Sequence, residues 1–171
     1  MGLRAYYVAV PPDLISRAER DEDAWAELSF EPPSHLPSCE LEKAWSTLWY
    51  LLDPVARGPG PERKPSTVAG QAVMGAHVFG RAFCEGKRYP QYLSGLWGHP
   101  RFLCSPEVEA AAGALGAVTA ESLFDVYDAE RMGRVVYALK PRDLTWSRFE
   151  ELRAFYRAAA RRGDAVVVHV W

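Results

Sequence analysis

The sequence predicts a single α+β domain over residues 1–171, with a small sheet that includes the N-terminal and C-terminal strands and about five helices packed on it. Three observations predict this class. A segment rich in Tyr and Val opens the chain, a run of β-branched residues closes it, and well-capped or amphipathic segments lie between them. A chain of 171 residues has the usual length of one domain and can bury a sizeable core without a disulfide or a metal.

The first elements follow from prolines and local composition. Residues 3–10 are rich in Tyr and Val and stop at Pro11, which predicts a strand. Pro12 and Asp13 suit the first turn of a short helix. Amide hydrogens in the first turn have no partner within the helix, so proline loses nothing there, and a carboxylate interacts favourably with the helix dipole. Three prolines predict a loop over residues 30–38.

A second helix is predicted over residues 39–52, with Ser38 as its N-cap. Its apolar residues recur at helical spacing and form one stripe: Leu41, Trp45, Leu48 and Leu52. Pro54 and the Gly-Pro repeats that follow it end this helix.

The middle of the chain gives weaker signals. Ser66 is a candidate cap for a short helix, and residues 76–103 show a poor pattern that predicts mostly loop. The tripeptide Ser105-Pro106-Glu107 has the composition of a helix start, and Thr119 begins a further helix. Residues 131–140 are compatible with either a helix or a strand.

The last third has the clearest pattern. Residues 144–162 place their apolar side chains on one face of a helix, and Gly163 stands where a helix-terminating glycine is expected. The run 165–171 contains four valines in seven residues and predicts a buried terminal strand.

The cysteines predict a reducing compartment. Cys39, Cys84 and Cys104 are an odd number in a chain without a recognisable secretion signal, so reduced thiols in a cytoplasmic protein are expected. Burial as small apolar residues is the first expectation for all three. Cys104 is the best candidate nucleophile, since it precedes a predicted helix and lies near Arg101 and His99 in the sequence.

Charge is segregated along the chain. The net charge of −2 is the sum of −6 over residues 1–53, +5 over residues 54–102 and −1 over residues 103–171. The small total argues against a nucleic-acid partner, and the absence of an apolar run of about 20 residues argues against a membrane partner. Loops carry binding residues disproportionately. The basic and aromatic middle third therefore supplies the candidate binding residues: Arg81, Lys87, Arg88, Tyr92, Trp97, His99 and Arg101.

Four segments in order resemble the YfbM-like family of uncharacterised bacterial proteins. They are Leu41-Glu42-Lys43-Ala44-Trp45 with Leu48 and Leu51-Leu52, then Ala72-Val73-Met74-Gly75, then Pro100-Arg101-Phe102-Leu103, and finally the segment from Phe149 through Tyr156 to Gly163 and the valine strand. The resemblance spans essentially the whole chain. It implies an α+β fold and a soluble cytoplasmic protein, with no established activity and no catalytic residues to carry over. Some members resemble immunity proteins against bacterial toxins.

Two functions fit the sequence. The first is a non-catalytic binding or interaction module, with an immunity-type protein as one form, that binds another protein or a small anionic ligand through the basic loop surface. The alternative is an enzyme acting on a small anionic substrate in a pocket near residues 97–107, with His99, Arg101 and Glu107 as its polar groups. No complete catalytic, metal or cofactor motif is present, so no catalytic residue, metal or cofactor is predicted. The oligomeric state is left open.

Overall fold

A five-stranded antiparallel sheet organises the protein in the computed structural model, which describes residues 4–30, 34–58, 64–80 and 99–170. The strand order is β2-β1-β5-β4-β3. The strands are β1 (Ala5–Val10), β2 (Ser38–Glu42), β3 (His77–Val78), β4 (Arg101–Leu103) and β5 (Ala165–Val170). Every pairing between neighbours is antiparallel, and the two terminal strands β1 and β5 lie side by side at the centre. The predicted α+β class, with strands at both ends of the chain, is confirmed.

Eight α-helices surround the sheet in the described part of the chain, more than the five or so expected. They are α1 (Pro12–Ala18), α2 (Glu22–Phe30), α3 (Ala44–Leu52), α4 (Val68–Met74), α5 (Ser105–Gly116), α6 (Ala120–Phe124), α7 (Ala129–Val135) and α8 (Arg142–Arg162), with a 3-10 turn at Pro54–Arg57. The additional helices have side-chain caps. Asp21 accepts hydrogen bonds from the amides of Asp23 and Ala24, and Asp128 accepts one from the amide of Arg131. None of the described helices is long and apolar enough to cross a membrane.

The helix predicted over residues 39–52 begins only at Ala44, and the prediction of Ser38 as its N-cap is wrong. The preceding residues form β2, which pairs with β1 in the register Tyr7 to Cys39. Leu41, the first residue of the predicted helical stripe, lies in β2 instead, and its side chain is fully buried there. Glu42, at φ 46°, makes the sharp change of direction into α3.

The loop predicted over residues 76–103 contains two short strands, the edge strand β3 and its neighbour β4. His77 pairs with Phe102 in β3 and β4, and Phe102 pairs with Val167 of β5. Strands of two and three residues are too short to show an alternating pattern in the sequence, so this pairing depends on the neighbouring strand. Residues 81–98 lie outside the described residues.

The two faces of the sheet pack against different helices. The α3–α8 face, which carries Tyr7, Leu103 and Val168, packs against those two helices and α4 and α5. The α1–α2 face, which carries Val8 and Val167, packs against helices α1 and α2. Trp25 of α2 is 2% exposed on this face, and its Nε1 atom donates a hydrogen bond to the carbonyl of Phe79 at 3.2 Å.

Asp53 joins the end of α3 to the start of α4. Its carboxylate accepts hydrogen bonds from the amides of Val55, Ser66 and Thr67 and from Ser66 Oγ at 2.6 Å. Thr67, not Ser66, is the N-cap of α4, since Thr67 Oγ1 accepts the amide of Gly70. The fully buried Asp53 carboxylate is thereby satisfied by four donors.

Candidate functional site

The described part of the chain has an open groove of about 510 Å³ between α1 and the junction of β4 with α5. Its apolar lining residues come from four separate elements: Pro12 and Ile15, Phe102, Pro106, and Ala165. We call this feature the α1–α5 groove. Its volume lies in the range typical of small-ligand sites.

Phe102 is the aromatic wall of the α1–α5 groove. It lies on β4 and points to the α1–α2 face, because it pairs with Val167, whose side chain is on that face. Its ring contacts Phe79 edge-on, with the centroids 5.9 Å apart, and lies 5.2 Å from the ring of His77. This stacking fixes the ring, so the apolar wall is preorganised.

The polar lining residues of the groove are Ser16, Glu19, Arg20, Cys104 and Ser105. Ser16 Oγ donates to the carbonyl of Pro12, and Ser105 Oγ donates to the carbonyl of Gly163 at 2.8 Å. Glu19 Oε1 accepts the amide of Gly80 at 2.7 Å. The side chains of Ser16, Ser105 and Glu19 are thus already bonded within the fold.

Cys104 belongs to a three-residue cluster at the end of the groove. It is the N-cap of α5, where Ser105 was expected, and its amide donates to Glu107 Oε2 at 2.8 Å. The other carboxylate oxygen, Oε1, lies 2.6 Å from His77 Nε2. Cys104, Glu107 and His77 therefore form one connected chain of polar groups, which we call the Cys104 cluster.

The electrostatics of the Cys104 cluster favour a neutral thiol. Burial raises the pKa of Cys104, and the hydrogen bond of its thiol to Glu107 raises it further. Burial by itself would raise the pKa of Glu107, but the hydrogen bonds from Cys104 and His77 outweigh it and hold that pKa below its ordinary value. A protonated thiol beside an ionised carboxylate is a poor nucleophile, because the thiolate is the reactive form.

The two described candidates of the predicted binding set do not line the groove. His99 is exposed. Arg101 points to the α3–α8 face and donates to the carbonyls of Gly75, at 3.2 Å, and Ala76, at 2.9 Å. Burial lowers the pKa of Arg101. The grouping of His99, Arg101 and Glu107 predicted for an enzyme is therefore replaced by His77 with Glu107.

The remaining predicted binding residues lie outside the described residues: Arg81, Lys87, Arg88, Tyr92 and Trp97. His77 was not predicted as a site residue, because it is separated from Glu107 by 30 residues and no local motif joins them. The helix start at Ser105-Pro106-Glu107 was the one available signal for this part of the site.

The described cysteines are free thiols, as predicted, but neither is fully buried. Burial, together with the charge of Glu151, raises the pKa of Cys39 to about 12. Cys84 lies outside the described residues. Within the described ranges no group of three or more His, Cys, Asp or Glu side chains is arranged to hold a metal ion.

The comparisons with known proteins give a fold and a family. The crystal structure of YfbM from Escherichia coli, a protein of unknown function, is similar over 98% of this chain and 99% of that chain, with a TM-score of 0.68 and 17% sequence identity. At that identity the similarity establishes the fold alone. No match was found among curated proteins. The family model for DUF1877, a domain of unknown function, matches residues 1–169, so the chain belongs to the DUF1877 family.

Proposed function

We propose that this protein is a non-catalytic binding module and that the α1–α5 groove is its ligand site. The observation that carries the proposal is the composition of the groove: an apolar wall centred on Phe102, with a polar rim supplied by α1 and the start of α5. Binding sites for small molecules are concave and mostly apolar, with a few placed polar groups that orient the ligand. The groove has each of these properties.

The Cys104 cluster supports binding rather than catalysis. Glu107 is held by the amide of Cys104 and by His77, and its carboxylate fastens the first turn of α5. Because the pKa of Cys104 is raised, the thiol acts at neutral pH as a weak hydrogen-bond donor and not as an attacking group.

A fluorescent apolar probe tests the proposal. N-phenyl-1-naphthylamine is neutral and becomes brighter when it leaves water, so its emission reports occupation of an apolar groove. We expect saturable binding to the native protein. Replacing Ser16, an exposed residue of the rim, by Trp fills the groove and should weaken binding at least tenfold. Ser147→Trp is the matched control, because Ser147 is exposed on α8 and does not line the groove.

Two results would contradict a groove ligand. One is a native protein that does not bind the probe at all. The other is an equal loss of binding in Ser16→Trp and Ser147→Trp, since that would place the probe elsewhere or reflect a general effect of surface tryptophan.

An enzyme acting on a small anionic substrate is the second candidate, because Cys104, the candidate nucleophile of the sequence, lines the groove. The rate of alkylation of Cys104 by iodoacetamide at pH 7, measured in a Cys39→Ala, Cys84→Ser protein, separates the two functions. Alkylation no faster than that of an ordinary thiol is expected for a binding module. Fast alkylation at pH 7 would favour the enzyme.

The charge segregation favours another form of binding, to a protein partner such as an immunity-type protein would have. That partner would be recognised through the basic residues between 57 and 101, and its binding would not depend on the groove. Reversing charges on Lys87 and Arg88 should weaken such a complex and leave occupation of the α1–α5 groove by the probe unchanged.

A further inference from the structure

We infer that the ligand of the α1–α5 groove is a small organic acid, with an apolar body against Phe102 and its anionic group at Arg20. This inference rests on the proposed function and adds the chemical class of the ligand. It is carried by the polar groups that line the groove and by the partners that the fold already gives them.

Four of the five polar lining residues are already bonded inside the protein. The hydroxyls of Ser16 and Ser105 donate to backbone carbonyls, and the thiol of Cys104 bonds to Glu107. Glu19, the one carboxylate of the rim, accepts the amide of Gly80 at 2.7 Å. The hydroxyl and thiol donors of the rim are therefore engaged, and an anionic ligand would have to compete with these bonds to use any of them.

Arg20 is different. It is exposed at the end of α1, and within the described ranges its guanidinium makes neither a hydrogen bond nor an ion pair. The neighbouring Glu19 does not neutralise it by direct contact, because the Glu19 carboxylate is bonded to Gly80. Among the polar residues of the rim, Arg20 therefore offers an incoming ligand uncommitted donors, up to five of them on a cation. A guanidinium attracts a carboxylate, sulfonate or phosphate group and repels a cationic ligand.

The size of the groove favours a small molecule over a protein. Its volume is about 510 Å³, and ten residues of the described chain line it. A stable protein interface uses roughly 20–30 residues a side, whereas small-molecule sites span about 300–1,000 Å³. An acid with one or two rings or a branched alkyl body fills such a space.

A pair of probes that differ by one anionic group tests the inference. 8-Anilino-1-naphthalenesulfonate carries a sulfonate that N-phenyl-1-naphthylamine lacks, and the two bodies are otherwise alike. We expect the native protein to bind the sulfonate about twofold to fivefold more tightly, which is the range for a solvent-exposed charge pair. Added salt should reduce this preference, because exposed charges are screened.

Arg20→Gln should abolish the preference for the sulfonate while leaving the affinity for the neutral probe unchanged. Arg17→Gln is the matched control, since Arg17 is exposed in the last turn of α1, three residues before Arg20, and does not line the groove. The control should keep the preference of the native protein.

The outcomes distinguish this inference from the proposed function. The inferred ligand class is wrong if the neutral probe binds as tightly as the sulfonate, or if Arg20→Gln weakens the binding of both probes equally. The groove would then be a site for a neutral ligand. If neither probe binds, or if Ser16→Trp leaves binding intact, both proposals fail together.

Discussion

The carboxylate of Glu107 joins the edge strand β3 to the first turn of α5, because Glu107 Oε1 lies 2.6 Å from Nε2 of His77. Its other oxygen accepts the amide of Cys104, the N-cap of the helix. One acidic side chain thus orients both the helix that borders the α1–α5 groove and the thiol that lines it.

Glu107→Gln should make the Cys104 thiol more reactive. The charge of Glu107 and its bond to the thiol both raise the pKa of Cys104, so a neutral amide should lower that pKa. We expect alkylation by iodoacetamide at pH 8 to become severalfold faster, measured in a protein that carries Cys39→Ala and Cys84→Ser. Glu109→Gln, on the exposed face of the same helix, is the control and should leave the rate unchanged. A slower rate in Glu107→Gln would contradict this account.

The elements predicted correctly from the sequence are those with local signals. Gly163 ends α8 at φ 72°, as its position after two arginines and an amphipathic run indicates. Thr119 caps α6 by accepting the amide of Ser122. These contacts lie within one turn of the residue that signals them, so no tertiary information is needed to predict them.

The elements predicted wrongly depend on residues distant in sequence. Leu41 fits a helical stripe, but pairing of β2 with β1 places it in a strand. The contact between His77 and Glu107 was not predicted for the same reason. His77 reaches Glu107 because β3 pairs with β4, and Arg101 turns away because a strand sends neighbouring side chains to opposite faces. Propensity and spacing do not encode such pairings.

Gly80→Ala should destabilise the protein strongly. Gly80 has a φ of 64°, and an added Cβ would lie 1.9 Å from Nε1 of the buried Trp25. Left-handed strain and the displacement of a buried ring together should lower the free energy of unfolding by about 2–4 kcal/mol, measured by urea denaturation. The amide of Gly80 also anchors Glu19, so probe binding in the groove should weaken in parallel.

Gly113→Ala is the matched control for that substitution. Gly113 lies inside α5, and a Cβ added there meets nothing within 4 Å. Alanine should therefore stabilise the protein by up to about 1 kcal/mol, because glycine is the poorer helix former. Equal destabilisation by the two substitutions would show that the contact with Trp25 is not the cause.

Asp53→Ala should cost about 3–5 kcal/mol of unfolding free energy. Its loss leaves three buried or partly buried amides and the hydroxyl of Ser66 without their acceptor. Ser66→Ala removes one donor and keeps the carboxylate bonded to the amides, so it should cost only about 1 kcal/mol. Urea denaturation of both variants shows which substitution lowers the unfolding free energy more. A larger loss for Ser66→Ala would contradict the role given to Asp53.

His169 should make the protein less stable in mild acid. It is 1% exposed on β5, and burial lowers its pKa to about 3. Below the ordinary pKa of about 6.5 the unfolded chain binds a proton that the folded protein does not, so stability falls with falling pH until about pH 3. The slope for one such group is about 1.4 kcal/mol per pH unit, which amounts to about 2 kcal/mol between pH 7 and pH 5.

His169→Gln should remove this part of the pH dependence, whatever its effect on stability at pH 7. Urea denaturation at pH 7 and pH 5 gives the difference for each protein. His35→Gln is the control, because His35 is exposed and its replacement should leave the pH dependence of the native protein unchanged. If the native protein and His169→Gln lose the same stability between the two pH values, the buried imidazole is not the group that titrates, and its place on β5 opposite Tyr6 imposes no acid limit on the fold.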